Sequence, residues 1–160
     1  KSFALGDAIT VNGTTGIVLS IDTLSVKLRT FDNRYVRIPN ETLIKSDLVN
    51  ITRFPIRRLD VSIGVGYESD LSQVREVLLD VARKNPLCLA EPKPLIILSG
   101  YGESSIDLLF GMWVTKEKFL ELKNSIHEEI KDEFEDAGIE IPFPQRVITV
   151  LGDLSVKEKS

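Results

Sequence analysis

RYVRIPNETLIKSDLVNITRFPIRR, residues Arg34–Arg58, decides the fold, because it closes one small β domain and passes the chain to a second. Tyr35–Ile38 alternates polar with apolar residues and predicts a strand. Pro39 stops it, since proline has no N–H to give a ladder. Asn40 is placed to cap the short turn of helix that Glu41–Lys45 suggests. Leu48–Thr52 is strand-like again, and Pro55 breaks the chain before Arg57 and Arg58. The stretch predicts a joint between domains, not a loop of catalytic side chains.

Upstream the signals are those of hairpins. Asn12-Gly13 is a strong two-residue turn, because both positions tolerate the positive φ of a type I′ turn, and it joins strands at Ala8–Val11 and Gly16–Ile21. Leu24, Val26 and Leu28 alternate with Ser25, Lys27 and Arg29 in a third strand, and Asp32-Asn33 makes the next turn. Five short strands with tight turns predict a small SH3/Sm-like β barrel over residues 1–55.

Downstream, Leu59–Val65 predicts a strand with Leu59, Val61, Ile63 and Val65 on one face. Asp70 is a good N-cap, with Gln73 three residues on as a capping-box partner. Leu71, Val74, Val77, Leu78, Val81 and Ala82 form one helical stripe, which Asn85-Pro86 ends. Strands at Leu95–Ser99 and Ser105–Val114 follow as a hairpin. A second helix spans Lys116–Ala137, with Gly138 as its C′ residue and an acidic outer face that includes Glu128, Glu129 and Asp132. A short strand at Ile139–Ile141 completes βαββαβ, a ferredoxin-like α+β domain over residues 56–145.

After Pro142-Phe143-Pro144-Gln145, residues Val147–Leu151 predict one more strand. Val147, Thr149 and Leu151 point one way and Ile148 and Val150 the other, so both faces are apolar apart from Thr149. Such a strand has no partner left in the chain and predicts pairing with strands of other copies. Residues 146–160 are therefore expected to be an assembly strand and a polar tail.

Composition narrows the function classes. At 160 residues, 42% hydrophobic and 28% charged, the chain has ordinary globular composition. One cysteine excludes an internal disulfide, and one histidine leaves no Cys/His zinc set; no metal or cofactor is expected. The longest apolar runs fall far short of the roughly 20 residues of a membrane helix. Residues 1–55 carry 7 basic and 5 acidic groups, and residues 56–145 carry 10 and 17. A nucleic-acid partner is therefore not expected, because the larger domain is acidic.

Individual residues give little chemistry. His127, beside core position Ile126, fits an exposed structural histidine, and Cys88 fits a plain packed or surface thiol. Helical spacing spreads the carboxylates of EEIKDEFED (Glu128–Asp136) over a solvated face. A phosphate loop at Gly66–Asp70 would set Glu68 and Asp70 against the anion. Pro39, Asn40 and Asn50 are open to a binding reading, and turn formation and strand-end hydrogen bonds explain them equally well. Arg57, Arg58 and Asp60, at the joint, have no such local explanation and are the candidates for an interface or an electrostatic gateway. No catalytic set converges, so no enzyme is expected.

Gly6-Asp7, GIVLSI (Gly16–Ile21), LRTFDNRYVRIPN (Leu28–Asn40), LVNITR (Leu48–Arg53), Arg57-Arg58 and GIEIPFPQ (Gly138–Gln145) together resemble the cytoplasmic part of small-conductance mechanosensitive channels, over residues 3–151. Asn33 stands where that family usually has Gly, and Asn also accepts a left-handed conformation. The resemblance implies a vestibule that opens with a pore under membrane tension to release ions and small solutes. It also implies a homo-oligomer of seven copies with portals between neighbouring subunits, and a terminal barrel built from one Val147–Leu151 strand per copy. The chain opens at Lys1 on the lead-in to a strand, as a cut fragment would, so the membrane-spanning segments are expected upstream. That puts the whole protein in the cell membrane with this region on the cytoplasmic side. The alternative is a ring-forming, Sm-like RNA-binding module.

Overall fold

Asn12 and Gly13 take φ of 48° and 77°, the left-handed pair that a type I′ turn requires, and they join β1 (Ala8–Val11) to β2 (Thr14–Ile21). The computed structural model describes residues 2–144 together with 146 and 148. The architecture is α+β with mainly antiparallel sheets, in two units: Lys1–Arg57 with Val114–Leu120, and Arg58–Trp113 with the chain from Glu121 onward.

In the first unit, β3 (Ser25–Thr30), β4 (Tyr35–Pro39) and β5 (Leu48–Asn50) complete a five-stranded sheet in the order β4-β3-β2-β1-β5. Alternation sends Ile9, Val11, Val18, Val26, Leu28 and Ile38 into one core, against which Phe3, Ile21, Val36, Leu43 and Leu48 pack. The β2 and β3 backbones approach so closely at Gly16 that a Cβ there would lie 2.7 Å from the Arg29 carbonyl oxygen, which is why this position carries no side chain. Asn33 holds the β3–β4 turn at φ 67°, the left-handed conformation expected of it.

Helix α1 (Asn40–Lys45) forms, but Asn40 does not cap it. Pro39 occupies the cap position without a side-chain hydrogen bond, and Asn40 begins the helix. The Asn40 side-chain amide is used elsewhere, donating to the carbonyls of Thr23 at 2.9 Å and Asp22 at 3.3 Å. It thereby closes the β2–β3 turn.

In the second unit, β6 (Ile56–Val65) starts three residues before the expected Leu59, since Pro55 precedes the strand and removes no ladder donor from it. With β7 (Leu95–Tyr101) and β8 (Ile106–Thr115) it forms a sheet in the order β6-β8-β7. Leu59, Val61, Ile63 and Val65 are buried, as are Leu108, Phe110 and Met112 of β8. Helix α2 (Leu71–Lys84) buries Val74, Leu78, Val81 and Ala82. Asp70 caps it by accepting from the Ser72 N–H at 3.0 Å, but Gln73 is not its capping-box partner. The Gln73 amide donates instead to the Ala137 carbonyl, one of the orphan acceptors at the end of the second long helix.

That helix begins later than expected. Lys116–Lys118 is a 3₁₀ turn, and α3 runs Phe119–Ala137, burying Leu122, Ile126, Ile130 and Phe134. It ends in a Schellman motif: Gly138, at φ 71°, donates to Glu135 at 3.2 Å, and Ile139 donates to Phe134 at 2.9 Å. The strand expected at Ile139–Ile141 is not formed. Once the Schellman turn has used the Ile139 N–H, one backbone bond remains in its place, from the Gly66 N–H to the Glu140 carbonyl at 3.3 Å. Of the strand expected at Val147–Leu151, the residues Val147, Thr149, Val150 and Leu151 lie outside the described residues. Ile148 is described; it is exposed and belongs to no strand among the described residues.

Asn85 is 4% exposed and paired through both its amide nitrogen and its side-chain oxygen. Its amide donates to Glu129 Oε2 at 2.6 Å and its side-chain oxygen accepts from the Leu87 N–H at 2.8 Å. Glu129 is therefore not a plain outer-face residue, as the helical spacing had suggested, but the partner of a buried amide. Leu78→Ala should lower stability by about 2–5 kcal/mol through loss of burial and the cavity left behind. Glu129→Ala should lower it by about 1–3 kcal/mol, because it strands a buried donor. Exposed Glu128→Ala should change it by less than about 0.5 kcal/mol. Urea unfolding of the three variants checks the order, and an equal effect of the two glutamate substitutions would contradict it.

Candidate functional site

The pleat of β6 sorts the three joint residues. Arg58 and Asp60, two apart, project from one face of the strand, while Arg57 projects from the other. Arg58 grips Asp60 with two hydrogen bonds, Nε to Oδ1 at 2.7 Å and Nη2 to Oδ2 at 3.1 Å. Both side chains are 39% exposed, so the pair contributes about 0–1 kcal/mol and leaves a compact, wet dipole on the surface.

The pair lies across Gly111 of β8, where a Cβ would sit 3.0 Å from Asp60 Oδ1 and 3.1 Å from Arg58 Cδ. Gly111 is thus part of this arrangement, although the sequence reading did not single it out. A lone glycine inside a predicted strand was the available signal, since it marks a close approach.

Arg57 is separated from these two residues. Its guanidinium carbon stands 3.6 Å from the centroid of the Phe119 ring, a cation–π contact, and burial pulls its pKa below the usual arginine value. An arginine so placed remains charged at every physiological pH. The same stretch supplies Lys116, whose backbone N–H donates to the Pro55 carbonyl and whose ammonium donates to the Thr52 carbonyl, both at 3.0 Å. Lys116 and Phe119 were invisible as partners in the sequence because more than sixty residues separate them from Pro55 and Arg57.

Around Thr52 runs a polar knot that uses up residues open to a binding reading. The Asn50 amide donates to the Ser2 carbonyl at 2.9 Å and to Asp7 Oδ2 at 3.1 Å. Thr52 Oγ1 donates to Asp7 Oδ1 and accepts from the Ala8 N–H, both at 3.1 Å. The Ala4 N–H, the Asn50 amide and Thr52 hold the Asp7 carboxyl below its usual pKa, with a further contribution from the Lys116 charge. Asp22, in the β2–β3 turn, is held well below the usual range by the Lys27 ammonium and by the backbone N–H groups of Leu24 and Ser25.

The remaining candidates carry no chemistry in place. His127 is exposed. Cys88 is half-buried, and burial, reinforced by the Glu129 charge, raises its thiol pKa to about 11, so almost none is thiolate at neutral pH. In the glycine-containing turn the N–H groups of Gly66 and Ser69 are spent on the carbonyls of Glu140 and Gly66. Among the described residues no group of three or more His, Cys, Asp or Glu could hold a metal ion. No helix among them is long and apolar enough to cross a membrane.

Comparison with known proteins gives these features a context. Residues 1–53 match the family model of the mechanosensitive ion channel beta-domain, and residues 59–141 match that of the mechanosensitive ion channel MscS C-terminal region. An uncharacterised MscS family protein of Synechocystis is 41% identical over 93% of this chain and 50% of its own length. The small-conductance mechanosensitive channel MscMJ of Methanocaldococcus jannaschii is 33% identical over 90% of this chain and 42% of its own length. The chain thus spans about half the length of the curated relatives it matches. The crystal structure of Helicobacter pylori MscS in its closed state superposes with a TM-score of 0.87 at 27% identity, covering 94% of this chain and 60% of that one.

The polar knot makes stability depend on pH in a definite direction. A depressed Asp7 pKa means that the folded state binds fewer protons than the unfolded state. The stabilisation is therefore complete above the unfolded value of about 3.9 and is lost as the pH falls through the folded value. Wild type should exceed Asp7→Asn in urea midpoint at pH 7, and the gap should close on acidification. A gap constant between neutral pH and pH 2 would remove Asp7 from this role.

Proposed function

Since the chain belongs to the MscS family of mechanosensitive ion channels, we propose that it is the cytoplasmic vestibule region of such a channel, opening with the pore under membrane tension to release ions and small solutes in osmotic protection. The observation that carries this reading is the succession of two family models, beta-domain then C-terminal region, along one chain. In this reading residues 1–55 are the SH3/Sm-like domain, residues 56–145 the ferredoxin-like domain and residues 146–160 the assembly strand and tail. The β6-β8-β7 order with two helices supports the ferredoxin-like description, and the Gly66–Glu140 bond marks the edge where its fourth strand would pair.

The proposed assembly is a homo-oligomer of seven copies, joined to the membrane by segments outside this chain and lying on its cytoplasmic side. The proposed role is conduction without catalysis, cofactor or nucleic acid. Arg58 and Asp60 are the portal or interface pair, and Arg57 is the anchored neighbour that holds the β6 start against Phe119. The five residues Val147, Ile148, Thr149, Val150 and Leu151 would close the assembly by pairing exposed strand edges.

The Sm-like RNA-binding alternative has one observation in its favour. The β3–β4 register sets Lys27 opposite Arg37 and Arg29 opposite Tyr35, which gives one outward face three cations and an aromatic ring. Lys27 is already paired with Asp22 on that face.

Patches carrying the full-length protein should show tension-activated current, and its absence from correctly inserted protein would end the channel reading. In the same patches Asp60→Lys should shift the reversal potential in asymmetric salt and leave the opening tension nearly unchanged. An unaltered reversal potential would remove the portal assignment. Retention of single-stranded RNA on filters by the 160-residue chain at physiological salt would favour the alternative.

Deletion of residues 146–160 should leave both units folded by circular dichroism but reduce the heptamer fraction in native mass spectrometry. Equal assembly of the truncated and intact chains across a dilution series would show that Val147–Leu151 is not the clasp.

A further inference from the structure

A cavity of about 430 Å³ opens in the second unit between α2 and the segment that leads into β7. Its size falls within the range of about 300–1,000 Å³ typical of small-molecule sites. Leu79, Ala82, Leu89 and Pro94 give it apolar walls, and Cys88 stands among them. Two cations complete the lining, Arg83 from α2 and Lys93 from the loop. Both are exposed, and Lys93 makes no ion pair among the described residues. Arg83 is paired with Asp80, an exposed partner one helical turn away, and such pairs exchange at little cost.

Three features set this cavity apart from an ordinary surface dent. The unit has a marked acidic excess, with 17 acidic against 10 basic groups over residues 56–145, yet the charged residues lining this cavity are both basic. The Cys88 thiol beside this wall is pushed up to about 11 by burial and by the Glu129 charge. Leu79 is 41% exposed here, an apolar side chain that water covers at a cost when nothing else does.

We propose that this cavity binds a single-chain amphiphile with an anionic head, its alkyl chain against Leu79, Ala82, Leu89 and Pro94 and its carboxylate or phosphate between Arg83 and Lys93. The apolar walls select the chain and the two cations select the sign of the head. Arg83 offers a planar fork of donors and Lys93 a mobile point charge, so a carboxylate and a phosphate are both accommodated. The proposal is independent of the channel reading, because every group it uses lies on this unit.

Cys88 is the only cysteine, so its alkylation by a maleimide, followed by mass spectrometry, reads occupancy of the cavity directly. With the intact 160-residue chain at fixed pH, dodecanoate kept below its micelle concentration should slow alkylation. At ten times its Kd the slowing should be about elevenfold, and dodecyl phosphate should act likewise. Acetate lacks the chain and dodecyltrimethylammonium reverses the head charge, so neither should protect. The exposed substitutions Arg83→Glu and Lys93→Glu should abolish protection while preserving the thermal unfolding midpoint, and Lys93→Gln should weaken it. Equal protection by dodecyltrimethylammonium, no protection by either anion, or full protection of the double charge reversal would each overturn the proposal. Protection by an acidic amphipathic peptide but not by dodecanoate would also overturn it, by showing a protein-docking groove instead.

Discussion

The arrangement of the candidate site depends on one constraint, the burial of Leu59, Val61, Ile63 and Val65 on a single face of β6. A strand has a side-chain period of two, so fixing those four residues fixes every other position on the strand. Arg58 and Asp60 must then share the opposite face, where water screens them and their mutual hydrogen bonds hold them flat over Gly111. Arg57 falls on the other side and finds Phe119. A register slip by one residue would bury Arg58 and Asp60 and expose the core, at a cost far beyond the stabilisation of any surface pair.

The two units use polar side chains in the same way, as ties between segments distant in sequence. In the first, Asp7 gathers Ala4, Asn50 and Thr52, and so fixes the chain entering β1 against the end of β5. In the second, Asn85 ends α2 and clasps Glu129 of α3, while Gln73 caps a carbonyl at the far end of α3. Of these, only Asn85 is buried and would have its amide left unpaired without Glu129; Asp7 and Gln73 are open to water and act by fixing geometry. Residues that suggest binding sites by type, such as Asn50, are thereby committed to the fold. The groups left to solvent, Arg58 with Asp60 and the cations beside Cys88, are where function has room.

The family places this chain among mechanosensitive ion channels, and that limits what a site can mean here. A conduction pathway needs no convergent acid, base or nucleophile; it needs charges held at defined places near water. The proposed portal role rests on the bidentate Arg58–Asp60 pair, whose two hydrogen bonds fix the direction of its dipole.

Much of this was legible in the residues. Among the described residues, period-two and helical spacing located seven of the eight strands closely, gave the buried stripe of α2 and α3, and placed the turns at Asn12-Gly13, Asn33 and Gly138. These signals are local: a turn residue's φ and an apolar face are properties of a few neighbours in the chain. The ordered motifs from Gly6-Asp7 to GIEIPFPQ carried the family. What tertiary structure alone decided lies where a side chain had two local uses and a distant partner chose between them. Asn40 left the cap for the Asp22 and Thr23 carbonyls, Gln73 left the capping box for Ala137, and Glu129 left solvent for Asn85. The segment Val114–Leu120 joined the first unit through Pro55, Thr52 and Arg57. A hydrogen bond between residues 44 to 64 positions apart leaves no periodic trace, so one chain's residues cannot announce it, and only packing selects it.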